Sequence, residues 1–93
     1  MDIADVVIDT EKKEAYRDGT RLGLTHKEFE LLLFLARHPG QILSRERILQ
    51  DVWGFSFLGK SRTIDMHIRS LRRKLQWEKR ISTHYSRGYR LDA

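Results

Sequence analysis

Wound at about 100° per residue, Arg62 to Leu75 places Ile64, Ile68, Leu71 and Leu75 on one narrow stripe. Arg62, Met66, Arg69 and Arg73 fall on the opposite side, flanked by Thr63 and Ser70. The pattern predicts a helix over residues 61–75 with Ser61 as its cap. Two earlier helices are marked by their own caps. Thr25 with Glu28 three residues on forms a capping box, ahead of an inward face of Phe29, Leu32, Leu33 and Ala36 that Leu31, Phe34 and Leu35 widen; His38-Pro39-Gly40 ends that helix. Ser44 opens a second helix through Ile48, Leu49, Val52 and Trp53, and Gly54 stops it.

Period-two alternation frames this helical centre. Val6 and Ile8 lie two apart in a short run bounded by Asp5 and Asp9, and Asp18-Gly19 is a hairpin signal with Tyr16 and Leu22 on its flanks, so a small antiparallel sheet is expected. After Trp77, the segments ISTHY and GYRL read as a terminal hairpin around Ser86, Arg87 and Gly88. The stretch GFSFLGKS, residues 54–61, is too short and too Gly-rich for regular structure, yet it carries Phe55, Phe57 and Leu58, which either plug a core or meet a partner. The pattern therefore describes one α+β domain over residues 1–93. Its sheet covers about 3–24, its three-helix core about 25–77 and its hairpin about 80–92.

Charge changes this picture more than length does. The net charge is +5, and residues 60–91 carry ten lysines and arginines against Asp65 and Glu78 alone, while residues 1–59 are slightly acidic. An anionic partner should meet the C-terminal third. The exposed side of the third helix is then either a solvated basic face or a surface that reads DNA, where cations neutralise phosphates, Arg forks onto guanine and apolar side chains meet thymine methyls. The concentration of charge favours DNA.

Other chemistries have little to work with. There are no cysteines, so disulfides, thiolate metal sites and thiol nucleophiles are excluded. His26, His38, His67 and His84 are scattered, no glycine-rich phosphate loop is present, and Glu28 and Glu30 point to different helix faces. No enzyme activity, metal or cofactor is expected. The longest apolar run, Phe29 to Ala36, is broken by Glu30 and far too short to span a membrane, and no leader follows Met1, so the cytoplasm is the expected location.

Four motifs carry a family resemblance: LTxxEFxLLxxL (Leu24 to Leu35), VWG (Val52 to Gly54), RTxDxHIxxLRxKL (Arg62 to Leu75) and GYRL (Gly88 to Leu91). Together they resemble the effector domain of the OmpR/PhoB family of bacterial response regulators, from about Val6 to Leu91. The resemblance implies a winged helix-turn-helix: an N-terminal four-stranded antiparallel sheet, three helices and a C-terminal β-hairpin wing. It implies sequence-specific binding of double-stranded DNA in two-component phosphorelay signalling, with the helix at 61–75 in the major groove and the wing in the adjacent minor groove. Trp53, Arg62, His67, Arg69 and Tyr89 would then lie at or near phosphates, while Thr63, Met66 and Ser70 face base edges. Lys60 and Arg73 extend the basic face, and Thr83, Tyr85 and Arg87 are the wing's candidates. Asp65 would meet cytosine amino groups or orient a neighbouring Arg.

The same resemblance implies partners. Phe55, Ser56, Phe57 and Leu58 would form a loop that touches RNA polymerase. An upstream receiver domain would hold the phosphorylation switch, an isolated monomer would pair on tandem direct repeats, and the setting is the bacterial cytoplasm. The wing departs from the family pattern TVRGxGYR: Tyr85 stands where an arginine is usual and Ser86 where the first glycine is usual. Ser70 stands where many relatives carry another arginine. Two rival readings are an RNA-binding basic domain, which would need exposed aromatics arranged to stack bases, and a winged-helix protein-interaction module, whose third helix would carry mixed or acidic charge.

Overall fold

Val6, Ile8 and Ala15 supply the buried face of the N-terminal sheet, while Val7 between them is left 48% exposed, as strand alternation requires. The computed structural model describes residues 1–54 and 61–92, with Ser61 as backbone only. The expectations for Phe55, Ser56, Phe57, Leu58 and Lys60 lie outside the described residues. Strands β1 (Asp2–Ile3), β2 (Val6–Asp9), β3 (Glu14–Arg17) and β4 (Thr20–Arg21) form an antiparallel meander in chain order, with Ile8 opposite Ala15 and Arg17 opposite Thr20. The β3–β4 turn is the predicted Asp18-Gly19. Both residues have positive φ, 50° and 78°, which matches the twist of a two-residue hairpin.

Helix α1 (His26–Ala36) starts with the predicted capping box: Thr25 Oγ1 accepts from the Glu28 backbone N–H at 3.2 Å, and the Thr25 N–H donates to Glu28 Oε1 at 2.9 Å. Phe29, Leu31, Leu32, Leu35 and Ala36 are buried. Leu33, expected on the inward face, and Phe34 are only partly buried. The second helix is short and covers that flank incompletely, so both line a groove with Asp51 and Val52.

That helix, α2 (Arg45–Ile48), is capped by Ser44, whose Oγ accepts from the Arg47 N–H at 3.1 Å. It widens into a single π turn over Leu49–Trp53, closed by Gly54 N–H donating to the Leu49 carbonyl at 2.7 Å. Lys27 Nζ donates to the carbonyl of Val52 at 3.0 Å, so α1 holds a backbone acceptor that the altered turn leaves available.

Helix α3 (Ser61–Leu75) buries Ile64, Ile68, Leu71 and Leu75 completely, each at 0% exposure. Arg17 donates to the carbonyl of Leu75 at the helix end, and Asp5 accepts from both Arg17 Nε at 2.8 Å and Trp77 Nε1 at 3.1 Å. A cation at the C-terminus suits the helix dipole and fastens the sheet to α3. The Arg17 and Trp77 hydrogen bonds hold the Asp5 carboxyl below its ordinary pKa.

Strands β5 (Ile81–His84) and β6 (Gly88–Leu91) form the terminal hairpin, with Thr83 opposite Tyr89. Leu43 bridges to Tyr89 through two backbone hydrogen bonds of 2.8 and 3.0 Å, so the connector before α2 acts as a third strand at the hairpin's base. Gly88, at φ 134°, allows this approach. A Cβ there would sit 1.9 Å from the Leu43 carbonyl oxygen.

Candidate nucleic-acid interface

The side of α3 opposite its buried stripe presents Arg62, Met66, Arg69 and Arg73, all exposed, with Met66 at 71%. Arg62, Asp65, Met66 and Arg69 line one shallow hollow. Among the described residues, Arg62, Arg69 and Arg73 form no ion pair and no side-chain hydrogen bond. Other cations of the same helix are engaged internally. Lys74 Nζ donates to Glu28 Oε1 at 2.7 Å, and Arg72 donates to the Ile81 carbonyl at 2.8 Å and to Thr83 Oγ1 at 2.6 Å. The helix thus separates its basic residues into an outward set available to an anion and an inward set that braces the fold.

Ser70, expected to face base edges, is bonded internally in the free domain: its hydroxyl donates to Glu28 Oε2 at 2.5 Å and is turned towards α1. The physical reason is that Glu28 is 4% exposed, the one charged residue buried among those described, and it needs every donor within reach. Burial alone would raise the Glu28 carboxyl. Hydrogen bonds from Lys74, Ser70 and the Thr25 backbone outweigh burial and bring its pKa to about 2.

Tyr89, expected at or near phosphates, joins a hydrogen-bonded group around Asp65. It is 4% exposed, its hydroxyl donates to Asp65 Oδ1 at 2.5 Å, and Arg45 Nε donates to the same oxygen at 2.9 Å. Burial, followed by the Asp65 hydrogen bond, raises the Tyr89 pKa. Burial opposes the charge on Asp65, but hydrogen bonds from Tyr89 and Arg45 outweigh it and hold the carboxyl below the ordinary range. Of the two roles considered for Asp65, the geometry shows the orientation of an arginine, and that arginine is Arg45. Its guanidinium carbon lies 5.1 Å from the Tyr89 ring centroid, within cation–π range.

Trp53 and His67 form a second cluster. Their rings meet edge-on at 5.0 Å, and His67 Nδ1 lies 2.7 Å from the Thr63 carbonyl, so Nδ1 carries the proton and donates it. Lys27 Nζ lies 5.5 Å from the Trp53 ring. At the hairpin tip Tyr85 is 88% exposed and Arg87 is exposed, and Ser86 adopts a positive φ of 66°, the region glycine enters most readily. Thr83 is half-buried, its hydroxyl accepting from Arg72. Sequence reasoning missed Arg45 and Arg72; their positions on α2 and α3 signalled only ordinary charge, because both act on residues distant in sequence.

Among the described residues, no group of three His, Asp or Glu is arranged to hold a metal, and no helix is long and apolar enough to cross a membrane. Residues 19–91 match the family described as "Transcriptional regulatory protein, C terminal". The chain is 40% identical over 90 residues to the transcriptional regulatory protein ResD of Bacillus subtilis, covering 91% of this chain and 38% of that protein. It is 39% identical to the DNA-binding domain of CpxR from E. coli, with a TM-score of 0.87 and coverage of 100% of this chain and 95% of that one. The Klebsiella pneumoniae RstA DNA-binding domain, solved in complex with the RstA box, is 29% identical with a TM-score of 0.89, covering 99% of this chain and 95% of that one. With its N-terminal sheet, three helices and hairpin wing, this chain belongs to the family of C-terminal domains of transcriptional regulatory proteins, of the OmpR/PhoB response-regulator type.

Proposed function

We infer that this chain binds double-stranded DNA sequence-specifically as the effector domain of a two-component transcriptional regulator. The observation that carries the reading is α3: four fully buried aliphatic side chains on one face, and on the other Arg62, Arg69 and Arg73 without an internal partner among the described residues. In this reading α3 lies in the major groove. Arg62 and Arg69 face phosphates, Arg73 extends the basic face, and Thr63 and Met66 face base edges. Lys60, Trp53 and His67 flank the backbone, with Tyr89 setting Arg45 from beneath.

The wing enters the adjacent minor groove through Arg87, with Tyr85 against the sugar-phosphate edge and Thr83 at its base. Arg87 is exposed next to Gly88 at the tip, and a cation there favours a narrow A·T-rich groove. The chain spans 38% of ResD's length, and an upstream receiver domain supplies the phosphorylation switch in the full protein. Phe55, Ser56, Phe57 and Leu58 contact RNA polymerase. The isolated domain is a monomer that pairs on tandem direct repeats spaced by about 10 to 10.5 base pairs.

Fluorescence anisotropy of duplex DNA at several salt concentrations tests the reading. With about five to seven phosphates neutralised, the log–log salt slope should be about −4 to −6. A slope near zero, or a preference for single-stranded RNA, would contradict it.

A further inference from the structure

Arg72 belongs to α3 by sequence but to the wing by its bonds. Its Nε donates to the Ile81 carbonyl at 2.8 Å, its Nη2 donates to Thr83 Oγ1 at 2.6 Å, and its guanidinium carbon lies 5.5 Å from the Tyr89 ring. The two strands of the wing are held unequally. Strand β6 is fixed along its inner side by the Leu43 bridge and by Gly40 N–H donating to the Leu91 carbonyl at 2.9 Å. Strand β5, on the outer side, starts in the core at the fully buried Ile81, whose N–H donates to the Trp77 carbonyl at 3.2 Å; beyond Ile81, the Arg72 bond to Thr83 is what links it to a helix among the described residues. Tyr89, packed beneath, bonds through Asp65 to Arg45 on α2. One guanidinium therefore ties the recognition helix to the outer strand whose far end carries the tip residues Tyr85 to Arg87.

We propose that Arg72 is a positioning residue for DNA recognition: it sets the wing against α3 so that Arg87 meets the minor groove beside the bases α3 reads, without touching DNA itself. The proposal rests on the wing reading above. Lysine cannot replace it. An ammonium is a point donor on a flexible stem and cannot hold a backbone carbonyl and a hydroxyl in one fixed plane. A residue serving only as a cation would be satisfied by lysine, and one serving only stability would alter binding to every sequence alike.

The experiment compares wild type, Arg72→Lys, Arg72→Gln and Arg87→Ala on two duplexes that share one α3 site and differ in an A·T-rich or G·C-rich flank; thermal melts establish that each variant is folded at the binding temperature. Wild type should prefer the A·T-rich flank by about five- to thirtyfold, the range of one directed groove contact. Both Arg72 variants should lose that preference while keeping wild-type affinity for the G·C-flanked duplex, and adding Arg87→Ala to Arg72→Lys should lower affinity no further. A wild-type flank preference in Arg72→Lys, or equal losses on both duplexes, would overturn the proposal. Retention of the preference by Arg87→Ala would instead overturn the wing reading, and the proposal with it.

Discussion

Replacing Glu28 by Gln keeps the shape of the side chain and removes its charge, which makes it the sharpest probe of how α1 holds the recognition helix. The carboxylate is 4% exposed and accepts from Lys74 Nζ at 2.7 Å, Ser70 Oγ at 2.5 Å and the Thr25 N–H at 2.9 Å. Its pKa falls from 4.5 to about 2 on folding. A shift of that size is worth at most about 3 kcal/mol, and because Lys74 is partly exposed and regains water when released, about 2–3 kcal/mol is the expected loss in Glu28→Gln at pH 7. For a domain of this size that is a fall of about 10–20 °C in Tm. A depressed carboxyl pKa stabilises the fold fully above its unfolded value, and the contribution disappears as pH falls through the folded value. The gap between wild type and variant should therefore be constant from pH 7 to about 5 and shrink to a small remainder near pH 2. Urea unfolding followed by circular dichroism at pH 7, 5, 3.5 and 2 measures it. A variant within about 0.5 kcal/mol of wild type at pH 7, or a gap undiminished at pH 2, would refute the reasoning.

Gly88→Ala should be the most damaging small substitution in the wing, because its Cβ would lie 1.9 Å from the Leu43 carbonyl; a loss above about 3 kcal/mol, or failure to fold, is expected in thermal melts. Ser70→Ala should lower stability by about 1–2 kcal/mol through the lost hydrogen bond to Glu28, and DNA selected by the variant should show an unchanged motif. Sedimentation of the free domain should give a monomer, and footprinting on a natural site should show two copies in the same orientation about one helical turn apart; a stable free dimer or a palindromic footprint would count against this.

Features encoded locally were readable from the chain. The Thr25–Glu28 capping box, the Asp18-Gly19 turn, the Ser44 cap and the buried stripe of α3 each depend on residues within one or two turns of each other, so spacing alone identifies them. The site's inner layer depends on long-range pairs. Ser70 meets Glu28 across 42 residues and Tyr89 meets Asp65 across 24, and no helical wheel shows that a hydroxyl on the polar flank is claimed by a buried acid. The π turn at Leu49–Trp53 escaped for a different reason: Leu49, Val52 and Trp53 fit an ordinary helix as well, and one wide turn leaves no mark in the spacing of apolar residues. Leu33 and Phe34 were drawn inward by their apolarity, while the short second helix leaves them half-covered.

The claim that the exposed face of α3 reads bases is tested most directly by selecting bound duplexes from a random-sequence pool with wild type, Met66→Ala and Arg69→Ala in parallel. Wild type should enrich one motif. Met66→Ala should relax or change that motif at one position, equivalent to about 1 kcal/mol of discrimination, and Arg69→Ala should recover less DNA of all sequences while keeping the motif. No enriched motif with wild type, or an identical motif and yield from all three proteins, would contradict the account.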